Sequence, residues 1–377
     1  MSFSLDKYLK ELEEMVNIES YSRDPIGNRK LGIYIKNKFL KLGWNVETIN
    51  VGDEVGPIIK ATNRKASSYD VLLLGHMDTV FEKGTVAQRA FKIKGDKVIG
   101  PGVSDMKSGD LFMCYLADFL TENPPINESG NVCMLFTSDE EISSVNSRPI
   151  LEEAAKKSKA VLVLESDRDK GNLIYERKGI VKYTIKFEGV ASHAGNDPEK
   201  GASAITEMFK IGLELNKLNK PETGTTLNIG RVEGGRAANI IPDYAECLVD
   251  IRITDVNEAE KIESAVAKIV NNPFDKRVKV TKIGGLLRPP MVKTNGTVKL
   301  ANLIENAAKE LGIEFNWEQV GGGSDGNFSA ALGIPTVDGL GPIGGGAHSK
   351  DEFLDLNSIQ PRFEMLTKVV SKLLTKK

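Results

Sequence analysis

Three stretches of this chain are apolar at every position: Val71-Leu72-Leu73-Leu74, Val132-Cys133-Met134-Leu135-Phe136 and Ala160-Val161-Leu162-Val163-Leu164. A strand with one wet face alternates apolar with polar residues, so an unbroken run needs cover on both faces. Such strands belong to largely parallel sheets with helices on either side. The segments between the runs supply those helices. Apolar residues recur at helical spacing over 5–18, with Ser4 as N-cap, over 28–42, closed by Gly43, and over 111–119 and 149–157. Strand-like runs at 44–48 and 58–62, and a ribbon over 91–99, complete an α/β first half.

Near residue 179 the pattern changes. Tyr183, Ile185 and Phe187 alternate with Lys182, Thr184, Lys186 and Glu188, the signature of a strand with one solvated face. A helix over 204–218, strands over 225–232 and 244–253, a helix over 258–270 and a strand over 277–283 come next. The order β-α-β-β-α-β is the split-βαβ, ferredoxin-like arrangement. After Pro289-Pro290 the α/β pattern resumes, with a helix over 298–311, a strand at Phe315, a helix over 327–332 and a closing helix over 356–374. The expectation is a discontinuous domain, 1–178 with 289–377, and a smaller α+β domain inserted over 179–288.

A length of 377 residues suits two domains. Fifty basic residues stand against 52 acidic ones, a balance that gives no reason to expect nucleic acid or an anionic membrane as partner. No run approaches the roughly 18 apolar residues of a membrane span. The start, Met1-Ser-Phe-Ser-Leu-Asp-Lys, lacks the basic and apolar segments of a secretion signal. Cys114, Cys133 and Cys247 lie far apart in apolar segments and read as buried thiols of a reducing compartment, so the expected location is cytoplasmic.

The chemistry sits where the apolar runs end. The first stops at Gly75 and is followed by His76 and Asp78; the second leads to Asp139-Glu140-Glu141; the third leads to Glu165-Ser166-Asp167. Asp105 lies in Gly100-Pro-Gly-Val-Ser-Asp105-Met106-Lys107, and His348 in Gly344-Gly-Gly-Ala-His348-Ser349. Each has an ordinary explanation alone: Asp105 as a helix N-cap, Glu140 and Glu141 as acids in a first helical turn, His348 as a loop residue. Parallel strands, however, bring their carboxyl ends to one edge of the sheet, where such folds build sites. Two imidazoles and three carboxylates are a natural set for two divalent ions, zinc first. A neighbouring Glu left off the metals would serve as general base. Gly339-Leu-Gly341-Pro-Ile-Gly344 fits a dinucleotide-binding pattern only superficially, because Pro342 interrupts it and no helix pattern follows.

Seven motifs in order carry a wider likeness: Gly-His-Met-Asp-Thr-Val (75–80), the 100–107 segment, Asp-Glu-Glu (139–141), Ser-His-Ala-Gly (192–195), Asn-Ile-Ile-Pro (239–242), Gly-Gly-Gly-Ser-Asp (321–325) and His-Ser (348–349). Over nearly its whole length the chain resembles the acetylornithine deacetylase/succinyl-diaminopimelate desuccinylase/aminoacylase family of co-catalytic metallopeptidases. It is most similar to the glutamate carboxypeptidase branch, of the carboxypeptidase G type. The resemblance implies an α/β zinc-exopeptidase domain with a mostly parallel mixed sheet, and an inserted ferredoxin-like α+β lid domain that makes a homodimer. It implies two Zn2+ ions, with Co2+ or Mn2+ able to substitute. His76, Asp105 and Glu165 would hold one, and His348, Glu141 and the bridging Asp105 the other. Asp78 would accept a hydrogen bond from His76 and fix its tautomer. Glu140 would take a proton from the metal-bridging water and return it to the leaving amine.

For the inserted domain, the resemblance implies that His193 reaches the partner subunit's site and stabilises the oxyanion. It implies that Arg252, on the wet face of its strand, and Asn239 grip the substrate's free carboxylate. Gly322 and Gly323, in the Gly321–Gly323 run, read as lining the pocket by close backbone approach. Arg288 is a candidate partner for an acidic substrate side chain. Two departures from the family pattern stand out: Ser143 occupies the place of a usual Gly after the paired glutamates, and Ser166 replaces a usual Pro, which makes Asp167 a competitor of Glu165. The expected function is amide hydrolysis on a small peptide or N-acyl amino acid, releasing an amino acid with a free carboxylate. The alternatives are an N-acyl-amino-acid deacylase or a di- or tripeptidase on the same scaffold and, more remotely, a catalytically idle carboxylate-binding protein.

Overall fold

Strand Val71–His76 is buried along its whole length, and the six-stranded sheet is built around it. The computed structural model describes residues 3–168 and 171–375, without the side chains of Asp167 and Arg168. Across the sheet the order is Asn45–Ile49, Ile58–Thr62, Val132–Thr137, Val71–His76, Val161–Val163 and Thr336–Val337. The last four strands run parallel, while the first two pair antiparallel at one edge. The sheet is therefore mixed but mostly parallel.

The unbroken apolar runs have the cause their sequence suggested. Val71 and Leu73 enter one core, and Leu72 and Leu74 enter the other. Val132, Met134 and Phe136 divide from Cys133 and Leu135 in the same way. Helices Leu5–Asn17, Pro25–Lys41, Ser108–Glu122, Asn295–Lys309 and Ile359–Thr375 contribute to the first core. Arg148–Lys156 and Gly326–Ala331 contribute Leu151, Ala154, Ala155 and Phe328 to the second. Each fully buried aliphatic side chain contributes about 1.5–3 kcal/mol, so one polar residue in these runs would be costly. Ser4 caps the first helix by accepting from Lys7 N, and Gly43 closes the second at φ +76°. All three cysteines are buried and free. No helix among the described residues is long and apolar enough to cross a membrane.

The chain divides into two units: Met1–Glu176 with Lys293–Val320 and Ser324–Lys377, and Arg177–Val292 with Gly321–Gly323. The second unit has a four-stranded antiparallel sheet in the order Thr226–Gly234, Tyr244–Ile253, Gly179–Glu188, Lys279–Arg288. Helices Ala204–Asn216 and Val256–Val270 share its core. That strand order is the split-βαβ topology. Strands Leu173–Arg177, Ile343–Gly345 and Phe353–Asp355 are not expected from the sequence, and two expected strands lie elsewhere than read. The strand expected at Phe315 begins at Trp317, where Asn172 Oδ1 accepts from Asn316 N beside the ladder. The strand expected over 277–283 runs from Lys279 to Arg288, because Asp275 folds Arg277 into a turn and pairing continues through Gly284-Gly285.

One packing contact ties the helix beginning at Ser108 to the strand end that leads to Glu165. A Cβ on Gly109 would lie 2.0 Å from the Leu164 carbonyl oxygen, a backbone atom that cannot turn aside. A Cβ on Gly321 would meet no atom within 4 Å. Gly109→Ala is expected to destabilise by at least about 1–3 kcal/mol, and Gly321→Ala by less than about 0.5 kcal/mol. Urea unfolding of the two variants checks this.

Candidate metal centre

The parallel register sets the centre. Val71–His76 pairs with Val132–Thr137 through His76↔Thr137, so the strand runs one residue beyond Gly75 and carries His76 at its end. The neighbouring strands lead out beside it to Glu140-Glu141 and to Glu165. Asp105 comes from the Val103–Lys107 turn before helix Ser108–Glu122, and His348 from the loop after strand Ile343–Gly345.

These residues meet. Asp105 Oδ1 lies 3.1 Å from His76 Nε2, and its Oδ2 lies 3.2 Å from His348 Nε2. Glu165 Oε1 stands 3.4 Å from His76 Nε2, and Glu141 Oε2 stands 2.9 Å from His348 Nε2. Ligand atoms of His76, Asp105 and Glu141 all fall within 4.8 Å of one another, as do those of His76, Glu140 and Glu165. Asp105 thus presents one oxygen to each imidazole. The side chain of Asp167 lies outside the described residues, so the choice between it and Glu165 is met on one side only, by the Glu165 contact.

Asp78 meets His76 through its backbone, and its carboxylate has a further part. The nearest acceptor for His76 Nδ1 is the Asp78 backbone carbonyl at 2.9 Å, while the carboxylate stands 3.5 Å away. A carbonyl only accepts, so Nδ1 carries the proton. The Asp78 carboxylate instead accepts from Ser22 Oγ at 2.7 Å and from the backbone N–H groups of Glu140 and Glu141 at 3.1 and 3.2 Å. It anchors the turn that presents both glutamates. A second anchor, Glu352, is not among the residues expected from the sequence. It is fully buried and accepts from the backbone N–H groups of Gly102, Ser104 and Asp105 at 2.9, 2.9 and 3.1 Å. Its only sequence signal is its place four residues after His348.

The electrostatics ask for a cation. Burial, reinforced by the charge of Asp105, pushes the Glu141 carboxyl up to about 7. Burial raises Glu165 as well. His348 is pushed up to about 11 by its hydrogen bonds to Asp105 and Glu141. Burial opposes a charged His76, yet the Glu165 charge and the hydrogen bonds to Asp105, Asp78 and Glu165 raise it well above its ordinary value. Asp105 is held below the usual carboxylate range by both imidazoles, against its own burial. With Nδ1 protonated, a neutral His76 would aim its Nε2 lone pair at two carboxylate oxygens, which is repulsive unless a positive charge lies between. Glu141 Oε1 is buried without a hydrogen-bond partner. Donor atoms sharing a tetrahedral ion at about 2.1 Å stand about 3.4 Å apart, close to the spacings seen here. The residues fit a pair of divalent ions.

The departure at Ser143 has a structural form. Ser143 and Ser144 both take left-handed backbone angles, φ +80° and +52°. The turn is held by Ser144 N on the Asp139 carbonyl at 2.7 Å and by the Ser144 hydroxyl on Asp325. Ser143 therefore does at some strain what Gly would do freely.

The remaining candidates belong to the second unit. His193 and Asn239 are brought together by the two-stranded ladder Ser192–His193 with Ile240–Ile241, and Ala194 N donates to the Asn239 carbonyl at 3.0 Å. His193 Nδ1 accepts from Gly195 N and Asn196 N at 3.1 and 3.0 Å, so the neutral ring carries its proton on Nε2. Asn239 is exposed. Arg252 engages Asp250 through Nε and Nη2 at 2.6 and 3.0 Å, and Nη1 reaches the Gly321 carbonyl at 3.3 Å. Arg177, which the sequence did not single out, donates to the Gly322 carbonyl at 3.1 Å. Gly323 packs against Arg288, where a Cβ would come within 2.9 Å of Arg288 Cδ.

Comparison with known proteins gives a consistent picture. The model of a family described as peptidase family M20/M25/M40 matches residues 72–372. Carboxypeptidase G2 of Pseudomonas sp. (strain RS-16) is 31% identical over 381 residues, covering 97% of this chain and 89% of that protein. The structure of an M20 family metallo-carboxypeptidase from Sulfolobus solfataricus is similar in fold, with TM-score 0.79 at 18% identity over 98% of this chain and 99% of that one. A tripeptidase from Staphylococcus aureus gives TM-score 0.78 at 22% identity over the whole of both chains.

Two substitutions at this edge should move stability in opposite directions. Ser143→Gly relieves the left-handed strain and is expected to stabilise by up to about 1 kcal/mol. Glu352→Ala strands three backbone donors and is expected to cost about 3 kcal/mol or more. Chemical denaturation of the metal-free proteins reads both.

Proposed function

The chain belongs to peptidase family M20/M25/M40, and on that footing we propose that it is a two-metal exopeptidase of the carboxypeptidase kind. It cleaves the amide bond of a small peptide or N-acyl amino acid and releases an amino acid with a free carboxylate, glutamate being the first candidate. The observation that carries this reading is the Asp105 carboxylate, with one oxygen facing His76 and the other facing His348. His76, Asp105 and Glu165 would hold one ion, and His348, Glu141 and Asp105 the other, with zinc the metal of first choice for this donor set. Such ions, when bound, acidify water and polarise a scissile carbonyl.

The chain's own residues supply the rest. Asp78 fixes the Glu140-Glu141 turn through both backbone N–H groups. Glu140, which neither ligand set requires, takes the proton of the attacking water and delivers it to the leaving amine. His193 offers its Nε2–H to the developing oxyanion, the tautomer being set by Gly195 and Asn196. Arg252, with its fork aligned by Asp250 and Gly321, grips the substrate carboxylate together with Asn239.

The second unit is also the surface through which two copies pair. Thr226–Gly234 is an edge strand of its sheet, and Phe209, Leu213 and Val232 expose large apolar side chains on this unit. His193 of each copy would then serve the other's centre. Three buried, unpaired thiols suit the reducing cytoplasm.

Hydrolysis should vanish on chelation and return with zinc, in a panel of folyl- or N-acyl-glutamate, N-acetyl amino acids, and di- and tripeptides. The preferred substrate separates the carboxypeptidase from the deacylase and the di- or tripeptidase. Glu140→Gln is expected to lower kcat by about 10²–10⁴-fold or more while both ions stay bound. Full activity in that variant contradicts the mechanism, and metal-independent turnover contradicts the centre.

A further inference from the structure

His348 is the least buried member of the centre, with its side chain 56% exposed, and it holds a left-handed backbone, φ +63°. Neither burial nor backbone preference keeps it against Asp105 and Glu141. The support of its loop can be traced link by link. Ser349, the next residue, donates to the Gly346 carbonyl through its backbone N–H at 3.1 Å and its hydroxyl at 2.7 Å. The same hydroxyl oxygen accepts from Asp351 N at 3.1 Å. The Ser349 carbonyl accepts from Arg89 Nη1.

Arg89 is itself placed from the far side. Its guanidinium lies over the Phe81 ring, 4.4 Å from the centroid, and its backbone N–H donates to the Thr85 carbonyl at 2.8 Å. The short turn Thr85–Gln88 hangs from Glu19, whose Oε1 accepts from Gly84 N and Val86 N at 2.8 and 3.0 Å. Arg89 Nε and Nη2 are buried and make no hydrogen bond. The Ser349 carbonyl is therefore the hydrogen-bond acceptor for this side chain, and a charge-assisted bond is among the stronger ones a side chain makes to backbone.

We propose that Arg89 is a positioning residue: through the Ser349 carbonyl it locks His348 in its left-handed conformation, and so sets the affinity of the one ion that His348 and Glu141 share with Asp105. The ion held by His76 and Glu165 does not depend on it. This rests on the two-metal reading above.

The test is zinc binding to the purified 377-residue chain by competition with a chromophoric chelator, which resolves two affinities without any turnover. Arg89→Met keeps the contact with Phe81 and removes the donor; Arg89→Lys keeps a donor. In Arg89→Met one of the two affinities is expected to fall about tenfold or more while the other is unchanged, with partial recovery in Arg89→Lys. In a His348→Ala background, Arg89→Met should have no further effect on the ion that remains. Equal weakening of both ions, or no weakening of either, in a chain that binds two overturns the role of Arg89. A wild-type chain that binds fewer than two ions overturns the two-metal reading and this inference with it.

Discussion

Concentrated negative charge at one sheet edge is the constraint on which the rest depends. Asp105, Glu141 and Glu165 stand around two imidazoles at hydrogen-bonding distances. Carboxylates this close repel, and burial removes the water that would screen them. The responses are visible in the groups themselves. Glu141 and Glu165 are pushed up, and both imidazoles are drawn toward their charged forms. Protons satisfy this arrangement only in part, since Glu141 Oε1 remains unpartnered. Divalent cations would satisfy it more completely, and in doing so would turn a destabilising cluster into a stabilising one.

The fold offsets that cost by rigidity around the centre rather than by the centre itself. The parallel strands are covered on both faces, so their ends have little freedom to spread. Backbone groups then do what side chains alone would do loosely. The Asp78 carbonyl sets the His76 tautomer, and the Asp78 carboxylate pins the glutamate turn. Glu352 gathers three N–H groups of the Asp105 loop. On the open side, where His348 has no such cover, the loop takes its support from Ser349 and Arg89.

The sheet and much of the candidate centre are legible in the sequence because apolar runs buried on both faces end abruptly, and His or acidic residues stand within a few positions of each end. His76, Glu140, Glu141 and Glu165 announce themselves this way, whereas Asp105 and His348 have ordinary explanations taken alone and join them through the family resemblance. Glu352, Arg177 and Arg89 are not legible, because each bonds to backbone far away in the chain, and such contacts leave no periodic trace. Asp78 is legible as a neighbour of His76 but not as the anchor of a turn 62 residues away. The long strand Lys279–Arg288 looks shorter in the sequence because Gly284-Gly285 breaks the alternation that marks a strand. Ser143 is visible as a departure from Gly, and its left-handed angle is the physical content of that departure.

The central claim is that one carboxylate, Asp105, is shared between two ions. Anomalous diffraction at the zinc edge, from crystals of the zinc-loaded protein, tests it most directly. The account predicts two peaks about 3.5 Å apart, one on the His76 side of Asp105 and one on the His348 side. A single peak, or two peaks that do not share Asp105, would contradict it.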